Sequence, residues 1–318
     1  MKTKRRKRNA NSNEVLLEQG VKLHNAGRLA EAATIYGQLL SNDPNVADAW
    51  HLSGVLAHQV GQHQQGIDYI QRAISLQNDV PAYYQNLATT LLPVGRFQHA
   101  LIAADKCLKL KPDCKFGWNA RGIALQHLGN QREAIVSFEN AIEHDDNHID
   151  AWTNLSRLHF QAGSLEQAEN CAQRVLELNP NHLAAMNTLG SIHRSRGSLN
   201  DAIRCFEKAR KINPGSVKTL VNLGIAYQDS NRLQEAQAVI QQALQREPKH
   251  ANAWSCAGKC YQLLANTKMA LHCFHKAYQL DPTQPAASDN YLFALNLDSG
   301  VSRRHVVDEH IALSLIHI

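Results

Sequence analysis

Three asparagines, Asn86, Asn154 and Asn222, follow one another at intervals of 68 residues. A carboxamide carries an acceptor oxygen and two N–H donors, so it can pair with a peptide backbone as a neighbouring strand would. Repeated along one face, such groups would grip an extended chain without reading its side chains. Asn119 and Asn187 stand one position earlier in the same frame and extend the row. The same amides can instead pack helix against helix, and the sequence leaves both roles open. Other chemistry is thinly provided. Cys256 and Cys260 are four residues apart, with His272, Cys273 and His275 following, but a zinc site normally shows a close CxxC pair or a second cluster. No metal ligand is assigned. Cys171, Cys205 and Cys273 share one register position, which makes them a repeated packing choice. An odd, scattered set of seven cysteines suits a reducing cytoplasm. No Gly-rich phosphate loop occurs and no motif places paired carboxylates, so no catalytic residue and no cofactor is assigned.

What positions the asparagines is a 34-residue period. Trp50, Trp118, Trp152 and Trp254 all fall on it, as do Pro44, Pro112, Pro180, Pro214, Pro248 and Pro282. Numbered 1 to 34, eight copies tile residues 13–284 without a gap. Position 8 is Gly20, Gly54, Ala88, Gly122, Ser156, Gly190, Gly224 and Gly258, small throughout, as two closely crossing helices require. Position 15 is glycine from Gly27 to Gly197, then Asn231 and Ala265. Gly and Asn tolerate the positive φ at which a helix ends; Ala265 departs from this. Position 20 is Ala or Gly in every copy.

This pattern resembles the tetratricopeptide repeat (TPR) over most of the chain, and such a period signals stacked helix-turn-helix units. The resemblance implies an all-α fold, a right-handed superhelical solenoid of about eight repeats. Helix A is expected at positions 2–14 and helix B at 15–30, with each apolar stripe buried only by neighbouring repeats. Pro81 fits the first helical position, where its missing N–H leaves nothing unpaired. In such arrays the A helices line a concave groove through positions 2, 5, 6, 9, 12 and 13. The expected partner is therefore a protein or extended peptide held there by Asn86, Asn119, Asn154, Asn187 and Asn222. Co-chaperone members resemble one another in a carboxylate clamp, Lys at position 5 with Asn at position 9 of one repeat. Position 5 holds no Lys, and position 9 no Asn, in any of the eight copies.

The net charge of +5 is concentrated in Lys2, Lys4, Arg5, Arg6, Lys7 and Arg8, and the rest of the chain is close to neutral. No broad basic face for nucleic acid is therefore expected. Residues 1–12 read as a disordered basic tail, a solubilising segment or a nuclear or acidic-surface address. No apolar run follows it as a secretory signal requires, and nothing approaches a membrane-spanning length. A cytoplasmic location and no membrane partner are expected.

Residues 285–312 read as a ninth helix and a junction. Tyr291, Leu292, Phe293, Leu295 and Leu297 make the helix apolar, and solenoid ends are normally capped by polar faces. It should bury against a downstream domain. Asn290-Tyr-Leu-Phe-Ala-Leu-Asn296, then Ser302 and His310, resembles the junction of bacterial O-GlcNAc transferase/SPINDLY-type glycosyltransferases. That resemblance implies a parent enzyme moving a sugar from a nucleotide donor to protein hydroxyls. The array would be its substrate-binding arm, and a UDP-sugar would be needed only by the further domain. A stand-alone scaffold is the alternative. Residues 313–318 read as a translated transposon end, an artefact closing the frame near Ala312.

Overall fold

The structure, a computed structural model, describes the backbone of residues 2–297, Arg304 and Val307, with side chains from Asn13 onward except Pro285 and Leu297. The expectations for residues 313–318, and for Ser302 and His310, lie outside the described residues. Every regular element among the described residues is a helix. The chain divides after Leu158 into two compact units. In the first, α1 (Lys2–Asn25) packs on α2 (Leu29–Asn42), α3 (Ala47–Gln59) on α4 (His63–Leu76), α5 (Pro81–Leu91) on α6 (Phe97–Leu110), and α7 (Lys115–His127) on α8 (Gln131–His144). Helix α9 (Ile149–Gln161) opens the fifth repeat, and α10 (Leu165–Leu178) completes it. In the second unit α11 (Leu183–Ser195) packs on α12 (Leu199–Ile212), α13 (Val217–Asp229) on α14 (Leu233–Arg246), and α15 (Ala251–Leu263) on α16 (Thr267–Leu280). Helix α17 (Pro285–Leu297) follows α16.

Each A helix ends in a Schellman turn. Gly61 N–H donates to His58 and Gln62 N–H to Ala57 at 3.0 and 2.8 Å, closing the last carbonyls of α3. All eight position-15 residues have positive φ, including Asn231 at 59° and Ala265 at 56°. Ala265 therefore departs in residue type and not in conformation; Ala265 and Asn266 N–H make the same two bonds to Gln262 and Tyr261. The turn consumes positions 15 and 16, so helix B starts two residues later than the sequence suggests. Helix α5 stops at Leu91, two residues short of its counterparts, because Pro93 has no N–H to continue the ladder.

The tryptophan–proline comb has a direct cause. The indole Nε1 of Trp50, Trp118 and Trp254 donates to the carbonyl of Pro44, Pro112 and Pro248, at 2.9, 2.8 and 2.8 Å. Trp152 does the same to Asp146, and Tyr84 uses its hydroxyl on Asn78 at 3.0 Å. One position-4 donor thus locks the loop entering each of these repeats.

Positions 8 and 24 set the helix crossing within a repeat. A methyl at Gly122 would stand 2.5 Å from the Phe138 ring, and one at Gly190 2.6 Å from Phe206. Both phenylalanines are fully buried, each such side chain contributing roughly 1.5–3 kcal/mol of transfer free energy.

Helices also stand at both ends of the described backbone. Helix α1 takes in the basic run read as an irregular tail; Lys, Arg and Ala are good helix formers, and no Gly or Pro interrupts them before Gly20. Helix α17 is not left bare. Tyr291, Ala294 and Leu295 bury against Ala270 and Phe274, and the Tyr291 ring stacks on His275 and Tyr278 at 4.9 and 5.8 Å. Of its apolar groups Phe293 stays outward, 54% exposed.

Candidate functional site

The position-5 and position-6 side chains meet between consecutive A helices. Asn86 Nδ2 donates to His51 Nε2 at 2.8 Å. Asn154 Nδ2 donates to Asn119 Oδ1 at 3.2 Å, and Arg157 donates to Asn154 Oδ1 at 3.2 Å and to Gln126 Oε1 at 2.9 Å. Asp48 accepts from the Tyr83 hydroxyl at 2.5 Å, and His24 Nε2 pairs with Gln59 Oε1 at 2.8 Å. The first unit therefore carries a polar ladder that runs from one A helix to the next, usually with a sequence offset of 35.

His51 is 8% exposed and packs its ring on Tyr83 at 4.6 Å. Burial pulls its pKa down to about 4, against a smaller opposing pull from Asp48. It is neutral near pH 7, and a neutral ring nitrogen can accept the Asn86 amide proton. Among the described residues Asn86 keeps its Oδ1 and one N–H uncommitted, Asn119 keeps its amide N–H pair, and Asn154 keeps one N–H.

The second unit treats the row differently. Asn187 is 4% exposed, its Nδ2 donating to Leu183 O and Thr219 Oγ1 at 2.9 and 3.0 Å, with Oδ1 buried and unpartnered. It is withdrawn from the row: Thr219, where other repeats hold Val, Ala, Tyr or Gly, draws it inward. Asn222 is half-buried and makes no side-chain hydrogen bond among the described residues. Nearby, Arg194 pairs with Asp229 at 3.4 Å, and Gln228 donates to Cys256 O at 2.7 Å. His51, Gln126, Arg157 and Gln228 were not singled out from the sequence. The usable signal was the 35-residue offset, one more than the period.

Grooves also open on the helix-B side. In the first unit one of about 420 Å³ is floored by Tyr84, Leu87 and Leu91 and walled by Gln71, His99 and Ile102. In the second, about 360 Å³ is floored by Trp254, Ala257 and Tyr261 and walled by Gln241, Met269 and His272. Among the described residues no group of three or more His, Cys, Asp or Glu could hold a metal ion. Cys256, Cys260 and Cys273 are buried free thiols that burial pushes up in pKa. No described helix is long and apolar enough to cross a membrane.

Family models described as tetratricopeptide repeat match residues 17–81, 81–114, 127–191 and 193–260. A heat shock protein sti1 homolog of Schizosaccharomyces pombe is 31% identical over 113 residues, 36% of this chain and 19% of that protein. The tetratricopeptide repeat-containing protein trd-1 of Caenorhabditis elegans is 24% identical over 143 residues, 45% of this chain and 18% of its own. The chain thus spans about a fifth of the length of these relatives. Among solved structures, the Cut9-Hcn1 hetero-tetramer of the APC/C matches with a TM-score of 0.69 at 20% identity, covering 88% of this chain and 55% of that one. A tetratricopeptide repeat protein from Parabacteroides merdae matches at 0.58 and 18% identity, covering 90% of this chain and 99% of its own.

Proposed function

The chain belongs to the tetratricopeptide-repeat family of protein-interaction modules, and from that premise we propose that it grips extended peptide backbone through the A-helix amides. Asn222 carries the reading. Its carboxamide is half-buried, has no protein partner among the described residues and is not sealed from solvent, so it is available to a passing chain. A passing peptide supplies both an N–H and a C=O. Asn86, Asn119 and Asn154 hold open valences beside their inter-helix bonds and would serve likewise; Asn187 is too deeply placed. A reducing cytoplasm suits the seven free cysteines.

Several similar proteins are named as Hsp70-Hsp90 organising proteins. A chaperone-tail adaptor would need cations for a terminal carboxylate, and no repeat here has the Lys-and-Asn clamp. The residues favour neutral backbone, so amidated and free-acid peptides should bind alike. A finer reading makes the module the substrate arm of an O-GlcNAc-transferase-like protein. It rests on the wording of Asn290–Asn296, and reading the coding sequence beyond residue 312 tests it.

The test of the groove is Asn222→Ala, measured by fluorescence anisotropy with a degenerate peptide pool. Losing hydrogen bonds worth about 0.5–1.5 kcal/mol predicts binding weaker by about 2- to 10-fold, similar across unrelated sequences. Melting temperature should hold or rise, since Ala is the better helix former. Asn86→Ala with Asn154→Ala tests the same reading within the first unit, where the pair should weaken peptide binding by about 5- to 150-fold if effects add. Ile102→Lys, in the helix-B groove of the first unit, should leave affinity alone. Affinity unchanged by Asn222→Ala but lost with Ile102→Lys would move the site to the B-helix groove.

A further inference from the structure

Four residues, 111–114, join α6 to α7, and a cysteine stands at each side of this joint. Cys107 lies in the last turn of α6 and Cys114 is the N-cap of α7. Cys107 is fully buried and Cys114 is 6% exposed. A methyl built on Gly117 would lie 3.2 Å from Cys107 Sγ and 3.4 Å from Cys114 Sγ, so both sulfurs border the one hollow that this glycine leaves. Gln85 Oε1 stands 3.3 Å from Cys114 Sγ, and Tyr84 and Trp118 pack against the pair.

The two sulfurs are chemically unequal. The neighbouring Cys107 thiol is the main influence holding Cys114 down, with the Gly117 and Phe116 amides and the Lys111 charge helping against burial. Cys107 is pushed up by its neighbour Cys114 and by burial. Of the two, Cys114 is the one that a helix N-terminus and a lysine favour as thiolate, and the one with any exposure. Cys205, Cys256, Cys260 and Cys273 have no such setting; burial raises all four.

We propose that Cys107 and Cys114 are an oxidisable dithiol, with Cys114 attacking a hydroperoxide and Cys107 resolving the product as a disulfide. Cys114 sulfur attacks the terminal peroxide oxygen; an S–O bond forms, the O–O bond breaks, and the leaving alkoxide or hydroxide is protonated to alcohol or water. Cys107 sulfur then attacks Cys114 sulfur. The S–S bond forms, the S–O bond breaks, and the departing hydroxide takes the Cys107 proton as water. Two electrons pass from the thiol pair to the peroxide, and any small-molecule thiol can return them by exchange.

The experiment treats the reduced full chain with one equivalent of hydrogen peroxide, blocks remaining thiols with iodoacetamide and digests with trypsin. Cleavage after Lys106, Lys109 and Lys115, with the Lys111–Pro112 bond resistant, places the two cysteines on separate peptides, 107–109 and 110–115. These should appear disulfide-linked before any other cysteine is oxidised. Cys107→Ser should leave a dimedone-reactive sulfenic acid on Cys114, and Cys114→Ser should leave Cys107 reduced. Circular dichroism establishes that both variants are folded. The proposal is overturned if another cysteine oxidises first, or if the linked peptides form as fast in urea-unfolded chain, where only closeness in sequence remains.

Discussion

Repeats 3 and 4 adjoin in the first unit and close the same helix crossing with different residues. In repeat 4, Gly122 lets the Phe138 ring lie against the α7 backbone, with no room for a Cβ. In repeat 3, Ala88 takes the place of the glycine and Ala104 that of the phenylalanine, both fully buried. The crossing needs a matched pair, glycine where the partner is a large ring and alanine where it is small, and not glycine as such. The comparison breaks or holds on a double-mutant cycle. Phe138→Ala should destabilise by about 3–5 kcal/mol through the cavity it leaves. Gly122→Ala should cost about 1–3 kcal/mol by overpacking the ring. Joined, they recreate repeat 3, and the total should fall below the sum by about 1 kcal/mol or more. Urea unfolding followed by circular dichroism reads all three. Strict additivity would mean that the two repeats reach their packing independently of this pair.

The polar joints of these repeats make a second contrast. Asn86 meets His51, whereas Asn154 meets Asn119. The folded chain holds His51 neutral down to about pH 4, while an unfolded histidine takes its proton near pH 6.5. Between those values the unfolded chain binds more protons, so stability falls as pH falls through this window and is fully present above it. The loss at pH 4 is on the order of 3 kcal/mol. His51→Asn would copy the Asn119 joint and remove this share. The difference in urea midpoint between pH 7.5 and pH 5 should shrink but persist, because burial lowers His58 and His148 as well. An unchanged difference would show that the His51–Asn86 joint opens before the chain unfolds.

These contrasts explain what the sequence could and could not tell. The period, the turn glycines and the Trp–Pro comb were legible because each is one residue type answering one backbone demand at a fixed position. The amide row was only half legible. Asn119 and Asn187 share position 5, yet Thr219 turns the second inward while Asn154 engages the first. Which partner an amide finds depends on the next repeat, one residue out of phase, and a search at the 34-residue period passes over it. The Cys107–Cys114 pair escaped for a related reason, since it spans a joint between repeats and recurs nowhere else in the frame.

The smallest effect isolates the backbone alone, in a comparison of Gly129 in the first unit with Ala265 in the second. Both residues occupy the left-handed region, at φ of 84° and 56°, and both turns make the same two hydrogen bonds. Nothing lies within 4 Å of a Cβ built on Gly129, so packing does not enter. Gly129→Ala should therefore destabilise by about 1–2 kcal/mol, the strain of a Cβ at positive φ. Ala265→Gly should relieve that strain but free the unfolded chain, netting a gain of about 1 kcal/mol or less. Both are read as shifts in urea midpoint with unchanged slope. Opposite signs would confirm that the two turns are one structure carrying different residues. A loss on Ala265→Gly would mean instead that the alanine methyl makes a contact in repeat 8 that outweighs the strain of holding it.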